Sequence, residues 1–479
     1  MANQIYVNEP YDSLPFPLEM ANNLYKFPII KNDKDEIING KNQKIAILTG
    51  GLFFYNYEKK YDPNFRTFIN DINKNVKDLN KNIKIKINVS GLQDSYLNTN
   101  ISLNAYKGEE GEGLLDLGMI ISCCPALDEI HILPYTFMTE NINGNVHMIS
   151  NLSQQLEYCV NNKINVVSCS YGSAIKYYDN FDKDDDNFFK DYFDKLTICV
   201  SSGDDGGCNS NTSSYNTETK KLICNKNVPY PGSSKYVLST GGTKYNLNNT
   251  EEITWYDSPG IKPYGGSSAG GISYFPKPSW QNIQYVNENP INNINKRLVP
   301  DVSGMAEAKW YLPLSLNKMK PGEISLVGGT SAVAPMYASF FIIVNQIREK
   351  NNLKPIGFVN DKLYELQSIH KNLFNDITRG KNTAGYNANT KYDMATGLGT
   401  PNFDKILDKL TDYNIKNNSF NNSLNNSLNN SKNNSQNNNS SVYQKTNGES
   451  NKKINNINKI IQIIMLITFA FLIILLFFI

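Results

Sequence analysis

Leu196-Thr197-Ile198-Cys199-Val200 runs directly into Ser201-Ser202-Gly203-Asp204-Asp205-Gly206-Gly207. A short apolar or β-branched run bounded by glycines reads as a buried strand ending in a turn. The same pattern recurs upstream. Asn165-Val166-Val167-Ser168 precedes Cys169-Ser170-Tyr171-Gly172, Ile130-His131-Ile132-Leu133 is a further strand, and Ile45-Ala46-Ile47-Leu48 ends at Thr49-Gly50-Gly51. Residues 83–89 alternate lysine with apolar side chains, as a half-buried strand does. Helices are expected at 65–80, from Gly111 onward, at 148–161 and at 188–195. This alternation points to an α/β fold built on a doubly covered, mostly parallel sheet. Sites in such sheets form beyond the carboxyl ends of the strands. Ser168-Cys169-Ser170 and Ser202-Gly203-Asp204 belong to that edge.

A second stretch, Gly328-Gly329-Thr330-Ser331-Ala332-Val333-Ala334-Pro335, leads into an apolar run at 337–344. It reads as a buried helix entered through a glycine turn, with Pro335 in its first turn. Ser331 then lies where backbone N–H groups are unpaired and negative charge is favoured. It serves there either as a helix cap or as a nucleophile beside an oxyanion site.

At 479 residues and 40% hydrophobic content the chain can bury a large core. A net charge of +2 gives no push towards nucleic acid. The seven cysteines leave at least one thiol unpaired within the chain. Cys123 and Cys124 read as core residues. Cys208 and Cys224 flank a polar loop and are either bridged, in an oxidising compartment, or free. Residues 413–458 are rich in Asn and Ser and read as a disordered linker. Residues 459–479 read as a C-terminal transmembrane helix, the almost purely apolar run 460–479 having the length needed to cross a bilayer. No secretory signal is visible at the N-terminus. The expected placement is a single-pass C-terminal membrane anchor with the folded part on the cytoplasmic side, following the lysines that precede the span.

Which chemistry Ser331 could perform depends on a base. A serine nucleophile usually needs a histidine held by an aspartate. The three histidines are His131, inside an apolar strand, His147, at the start of the 148–161 helix, and His370, in a polar stretch. None stands in the setting that subtilisin-type peptidases use. A carboxylate can replace the imidazole if it reaches the serine. Gly111-Glu112-Gly113-Leu114-Leu115-Asp116 offers two, at i and i+4 on one helix face.

Taken with Ser202-Gly203-Asp204-Asp205-Gly206, Gly329-Thr330-Ser331 with Pro335, and the aspartate motifs near the C-terminus, these residues resemble the sedolisin family, the serine-carboxyl peptidases. The resemblance covers roughly residues 24–410. It implies a subtilisin-like fold over 22–412, preceded by an N-terminal segment, 1–21. It implies Ser331 as nucleophile, Glu112 as base, Asp116 as its partner and Asp204 as oxyanion donor. An aspartate donates only when protonated, so an acidic rate maximum is expected. Ser168, Ser170 and Gly172 match a segment that lies along the substrate backbone.

The resemblance also implies one calcium ion, held by the side chains of Asp376 and Asp393 and by main-chain carbonyls of Ile377, Asn389 and Lys391. Positions 389 and 391 are usually glycine in the family. A long N-terminal prosegment is typical of the family, whereas the peptidase-like part here begins near residue 22. The implied activity is an acid endopeptidase or tripeptidyl peptidase acting on protein or peptide substrates. A membrane-tethered, non-catalytic binding protein on a peptidase scaffold is the alternative.

Overall fold

The computed structural model describes residues 5–6, 17–28, 30–31, 37–49, 83–87, 103–135, 137–142, 145–174, 188–208, 212–246, 251–282, 294–307, 310–312 and 325–411. The expected linker and transmembrane helix, the helix at 65–80 and the Gly50-Gly51 turn lie outside the described residues.

In chain order the main elements are α1 (Pro17–Tyr25), β1 (Lys44–Thr49), β2 (Lys84–Ile87), α2 (Leu103–Cys123), β3 (Glu129–Pro134), α3 (Leu152–Asn161), β4 (Val166–Cys169), β5 (Thr197–Ser201), β6 (Leu238–Asn246), β7 (Glu251–Thr254), β8 (Val302–Met305), α4 (Thr330–Lys350), α5 (Asn360–His370) and α6 (Phe403–Thr411). One sheet carries all eight of these strands in the order β7-β6-β5-β4-β1-β3-β2, with β8 also pairing β6. Every pairing in it is parallel except β6 with the edge strand β7. The mostly parallel α/β sheet is therefore as the sequence pattern indicates.

Strand alternation sorts the side chains between two covers. Ala46, Leu48, Val167, Cys169, Ile198 and Val200 join Leu152, Leu156 and Cys159 of α3 in one apolar cluster. On the other face α4 packs against β4, β5 and β6, and α2 packs against α4. Among the described residues α4 is the one helix long and apolar enough to cross a membrane, but 94% of that apolar window is buried in the fold. It is the central core helix.

Three helix boundaries differ from the sequence reading. α2 begins at Leu103 rather than near Gly111. Its glycines are weak helix formers, yet packing against α1 and α4 overrides that preference. Met148, Ile149 and Ser150 belong to a strand paired antiparallel with Phe137–Ile142, so α3 starts only at Leu152. His147 is on that strand rather than at a helix start. The 188–195 region forms short 3₁₀ turns, the second at Phe193–Lys195, where Phe193 stacks on Tyr236 and Phe358.

Behind the sheet, Arg297 and Asp301 form a fully buried bidentate pair, with nitrogen–oxygen distances of 2.8 and 2.5 Å. Asp301 also accepts the Ser239 N–H, the Tyr364 hydroxyl and the Asn360 amide. Removing one partner of a buried pair strands the other charge. Asp301→Asn should therefore lower stability by about 3–5 kcal/mol, seen as a lower urea midpoint at unchanged slope. A shift below about 1 kcal/mol would show that Arg297 finds another partner.

Candidate active site

β4 and β5 are neighbours, so the segments leaving their carboxyl ends, Ser170 and Ser202-Gly203-Asp204, emerge side by side. α4 points its N-terminus at them, and α2 brings up Glu112 and Asp116. The structure thus joins Ser331, Glu112, Asp116 and Asp204 from four separate segments.

Gly329 is the residue before α4, at φ +114°, and a side chain there would meet the Asp204 carboxylate at 2.9 Å. Only glycine suits both constraints. Thr330 and Ser331 are the first helical residues and neither is the cap. Thr330 is bound on both sides: its N–H and hydroxyl donate to Asp204 Oδ1 at 2.9 and 2.8 Å, and its hydroxyl oxygen accepts the Gly203 N–H at 3.1 Å. The loop after β5 is thereby pinned to the start of α4.

Pro335 is the sixth residue of α4, in the second turn rather than the first. It lacks the N–H that would bond the Ser331 carbonyl four residues earlier. The Ser170 hydroxyl lies 3.1 Å from that carbonyl and 2.5 Å from Asp116 Oδ1. A hydroxyl has one proton to give. It can satisfy both acceptors only if Asp116 is protonated and donates to Ser170. Burial, and then the charge of Glu112, hold the Asp116 carboxyl well above its ordinary range, in agreement with that arrangement.

Glu112 is half-buried, and burial pushes its carboxyl up to about 7, against a hydrogen bond with Ser331 that pulls it down. Asp204 repels the Glu112 charge and Lys262 attracts it. Glu112 Oε1 and Asp116 Oδ2 are buried without hydrogen-bond partners. Burial of two carboxyls one helical turn apart couples their titration.

Asp204 departs from expectation. Burial raises its pKa, but Lys262 and the Thr330 N–H and hydroxyl outweigh burial and hold it below the ordinary aspartate value. Lys262 Nζ sits 3.0 Å from Asp204 Oδ2. Asp204 is thus an ionised acceptor here, whereas the oxyanion role expected of it needs a neutral donor. Nothing in the sequence marks Lys262, which lies 58 positions beyond Asp204 in a proline- and glycine-rich loop.

The residues expected along the substrate separate. The Ser168 hydroxyl is fully buried in β4. The Ser170 hydroxyl is turned inward to Asp116 and the Ser331 carbonyl. Gly172 is exposed. The histidines stay apart from the serine: His131 is buried between Glu129 and Tyr158, and His370 ends α5.

The C-terminal aspartates meet around one loop. Lys391 donates its N–H to Asp376 Oδ2 at 2.7 Å, and Asn389 donates its N–H to Asp393 Oδ2 at 2.9 Å. Lys391 adopts φ +67°, a conformation that favours glycine. Ile377 packs with Ala388 and Ala395 beneath the loop. Asp393 is buried, accepts further N–H bonds from Ala395 and Thr396, and is pushed up to about 7 by burial. No lysine or arginine among the described residues pairs with it. Nor does any cluster of three or more His, Cys, Asp or Glu side chains occur among the described residues. A cation here would depend on main-chain carbonyls as well as the two aspartates.

Cys208 and Cys224 are bridged, with Cα atoms 5.2 Å apart. Cys123, Cys124, Cys159, Cys169 and Cys199 are free and buried.

No family profile matches the chain. In sequence it is similar to kumamolisin from Bacillus sp. (strain MN-32), 35% identical over 43% of this chain and 35% of the relative. It is also similar to tripeptidyl-peptidase 1 from Dictyostelium discoideum, 32% identical over 50% of this chain and 38% of the relative. The matched region thus spans little more than a third of each curated relative. In structure it is similar to Pseudomonas sedolisin, a serine-carboxyl proteinase, with a TM-score of 0.58 and 22% identity, over 83% of this chain and 98% of that one. That likeness concerns the fold. The chain is thus similar in sequence to kumamolisin and tripeptidyl-peptidase 1 over part of their length, and similar in fold to sedolisin.

Proposed function

We propose that this chain is a serine-carboxyl peptidase that hydrolyses peptide bonds in protein or peptide substrates, as an endopeptidase or a tripeptidyl peptidase. The observation that carries the reading is the placement of Ser331, at the N-terminus of a buried helix, beside Glu112, whose carboxyl burial pushes up to about 7 and the Ser331 side chain draws down. Ser331 Oγ attacks the scissile carbonyl carbon, and the carbonyl electron pair moves to oxygen. Glu112 takes the serine proton and returns it to the leaving amine as the C–N bond breaks. A water then repeats the sequence on the acyl-enzyme. Asp116 retains its own proton and orients Glu112, while Ser170 ties Asp116 to the nucleophile's main chain. The helix N-terminus favours the charge that develops on oxygen.

Glu112 must be ionised to accept the proton. For a base pushed up to about 7, kcat/KM should rise with pH through that value. Glu112→Gln should lose about 10²–10⁴-fold, and Ser331→Ala should form no phosphonyl adduct with a peptidyl fluorophosphonate, which loses fluoride to the serine oxygen of the wild type. Near-normal turnover by either variant would reject these roles.

A calcium ion fits the C-terminal loop because Asp393 is a buried carboxylate without a cationic partner, and every other ligand offered by Asp376, Ile377, Asn389 and Lys391 is a hard oxygen. The ion would neutralise Asp393 and lock the loop, a structural rather than a chemical role. An ion bound only by the folded chain stabilises it by about 2.7 kcal/mol at 100 times Kd. Chelation should therefore lower Tm, and Asp393→Asn should remove the response. An unchanged Tm in protein shown by elemental analysis to be metal-free would exclude the ion.

Membrane attachment through 459–479 is part of the same proposal. The Cys208–Cys224 bridge supports placing the folded domain on an oxidising face rather than in the cytosol. Asn417-Asn418-Ser419 and its neighbours would then be open to N-glycosylation. A glycosidase-sensitive mass shift in a carbonate-resistant membrane fraction is expected. A membrane-bound, unglycosylated protein would return the domain to the cytoplasmic side.

A further inference from the structure

We propose that Pro229 is a specificity-determining residue of this site. Its ring closes the crevice beside Ser331, so the residue on the acyl side of the scissile bond must be small: glycine, alanine or serine. The inference rests on the peptidase reading above and deepens it.

The segments that leave the carboxyl ends of β4 and β5 lie against the start of α4. The Ser170 hydroxyl is 3.1 Å from the Ser331 carbonyl oxygen. The Gly203 N–H donates at 3.1 Å to the hydroxyl of Thr330, the residue before Ser331. Ligands of parallel sheets bind in the crevice outside the carboxyl ends of the strands. The acyl-side residue of a bound peptide carries the carbonyl that Ser331 attacks, so its side chain has the crevice between these two segments to enter.

Glycine forms both walls. Gly172, on the β4 side, is exposed, and Gly203, on the β5 side, is half-buried. Walls without side chains would leave a slot for a large residue, but Pro229 occupies it. A methyl group on Gly203 would lie 2.9 Å from Pro229 Cγ. One on Gly172 would lie 3.3 Å from Pro229 Cβ and 3.0 Å from the Tyr230 carbonyl oxygen. The proline thus bridges the two walls at the height of their Cα atoms. Ala269 closes the Gly203 side further, its methyl 3.3 Å from the same added group. Pro229 is itself half-buried, as the floor of an open crevice would be.

The floor is fixed from below. Pro229 and Tyr230 pair antiparallel with Ala174 and Ser173. The Pro229 carbonyl accepts the Ser233 N–H at 2.9 Å. Tyr230 is buried in the main apolar cluster, against Phe189 and Phe275. The walls are held as well. The Tyr171 carbonyl accepts the Tyr135 hydroxyl at 3.0 Å, and the Gly203 carbonyl accepts the Ala269 N–H at 2.9 Å. A larger side chain could enter only by displacing main chain, and close-packed surroundings resist even one added methylene.

The test is the cleavage preference of the full chain on a peptide library varied at every position, with products read by mass spectrometry. It is followed by kcat/KM on matched quenched peptides with Ala, Leu or Phe on the acyl side. One extra methylene in a pocket discriminates by about 10–200-fold. Wild type should therefore cleave after Ala at least about 100-fold faster than after Leu or Phe. Pro229→Ala removes Cγ and Cδ and keeps Cβ. It should raise the Leu-to-Ala ratio by about tenfold or more, with a melting curve as the folding control. Wild type that cleaves after Leu or Phe as readily as after Ala overturns the proposal without reference to any variant. So does a folded Pro229→Ala enzyme that keeps the wild-type ratio. Hydrolysis undiminished in Ser331→Ala, or no hydrolysis of any library member by wild type from acid to alkaline pH, would instead overturn the peptidase reading beneath it.

Discussion

Asp301 is the point on which the architecture hangs. Its carboxylate is fully buried and must be paired, because an isolated charge in that environment would be prohibitively costly. Arg297 supplies the counter-charge, and the remaining lone pairs are taken from β6 by Ser239 and from α5 by Asn360 and Tyr364. The main chain continues the role: the Asp301 N–H reaches the Ser239 carbonyl, and the Leu398 N–H reaches the Asp301 carbonyl. One side chain thus fixes where β8 enters the sheet. From β8, Ser303 reaches the Thr396 carbonyl, and the Tyr337 hydroxyl of α4 reaches the Ser303 carbonyl. The same short segment therefore sets the height of α4 and anchors the loop that carries Asp393.

The site itself is a problem in charge balance. Glu112, Asp204 and Asp205 act on Lys262, and Asp116 acts on Glu112. The structure resolves this by giving the groups different surroundings. Asp116 is deeply buried and keeps its proton. Asp204 is fed by two donors from Thr330 and paired with Lys262, so it stays ionised. Glu112 lies between the two and titrates near neutrality, where a general base is most effective. Environment, rather than residue type, assigns each carboxyl its part. Pro335 belongs to the same design: by leaving the Ser331 carbonyl without a helical partner it opens a place for Ser170, and so couples the Ser331 backbone to Asp116.

Much of this was legible without coordinates. The strands β1, β3, β4 and β5 are short apolar runs ending in turn residues, and nothing in their sequence competes with that pattern. The buried helix at α4 follows from its uniform apolarity and from the glycine that must precede it. The i, i+4 spacing of Glu112 and Asp116 places both on one helix face whatever the exact helix start. Helix ends were less legible. Gly108, Gly111 and Gly113 argue against a helix over that stretch, and packing against α1 and α4 overrules them. At Met148 the apolar spacing suits helix and strand alike, and the partner strand at Phe137–Ile142 decides.

Strand and turn patterns alone were enough for the parallel α/β sheet and the edge on which the site lies, because periodicity and turn chemistry are local properties; that Ser331, Glu112, Asp116 and Asp204 belong together came from the resemblance of their motifs to the sedolisin family. The protonation states were decided only by the tertiary structure. Asp204 alone reads as a candidate neutral donor; beside Lys262 it is a carboxylate. Ser170 reads as part of a segment along the substrate backbone; only the fold shows that its hydroxyl links Asp116 to the Ser331 carbonyl. Each reversal comes from a neighbour that is distant in sequence, and the energy of a charge depends on what surrounds it in space, which no local pattern records.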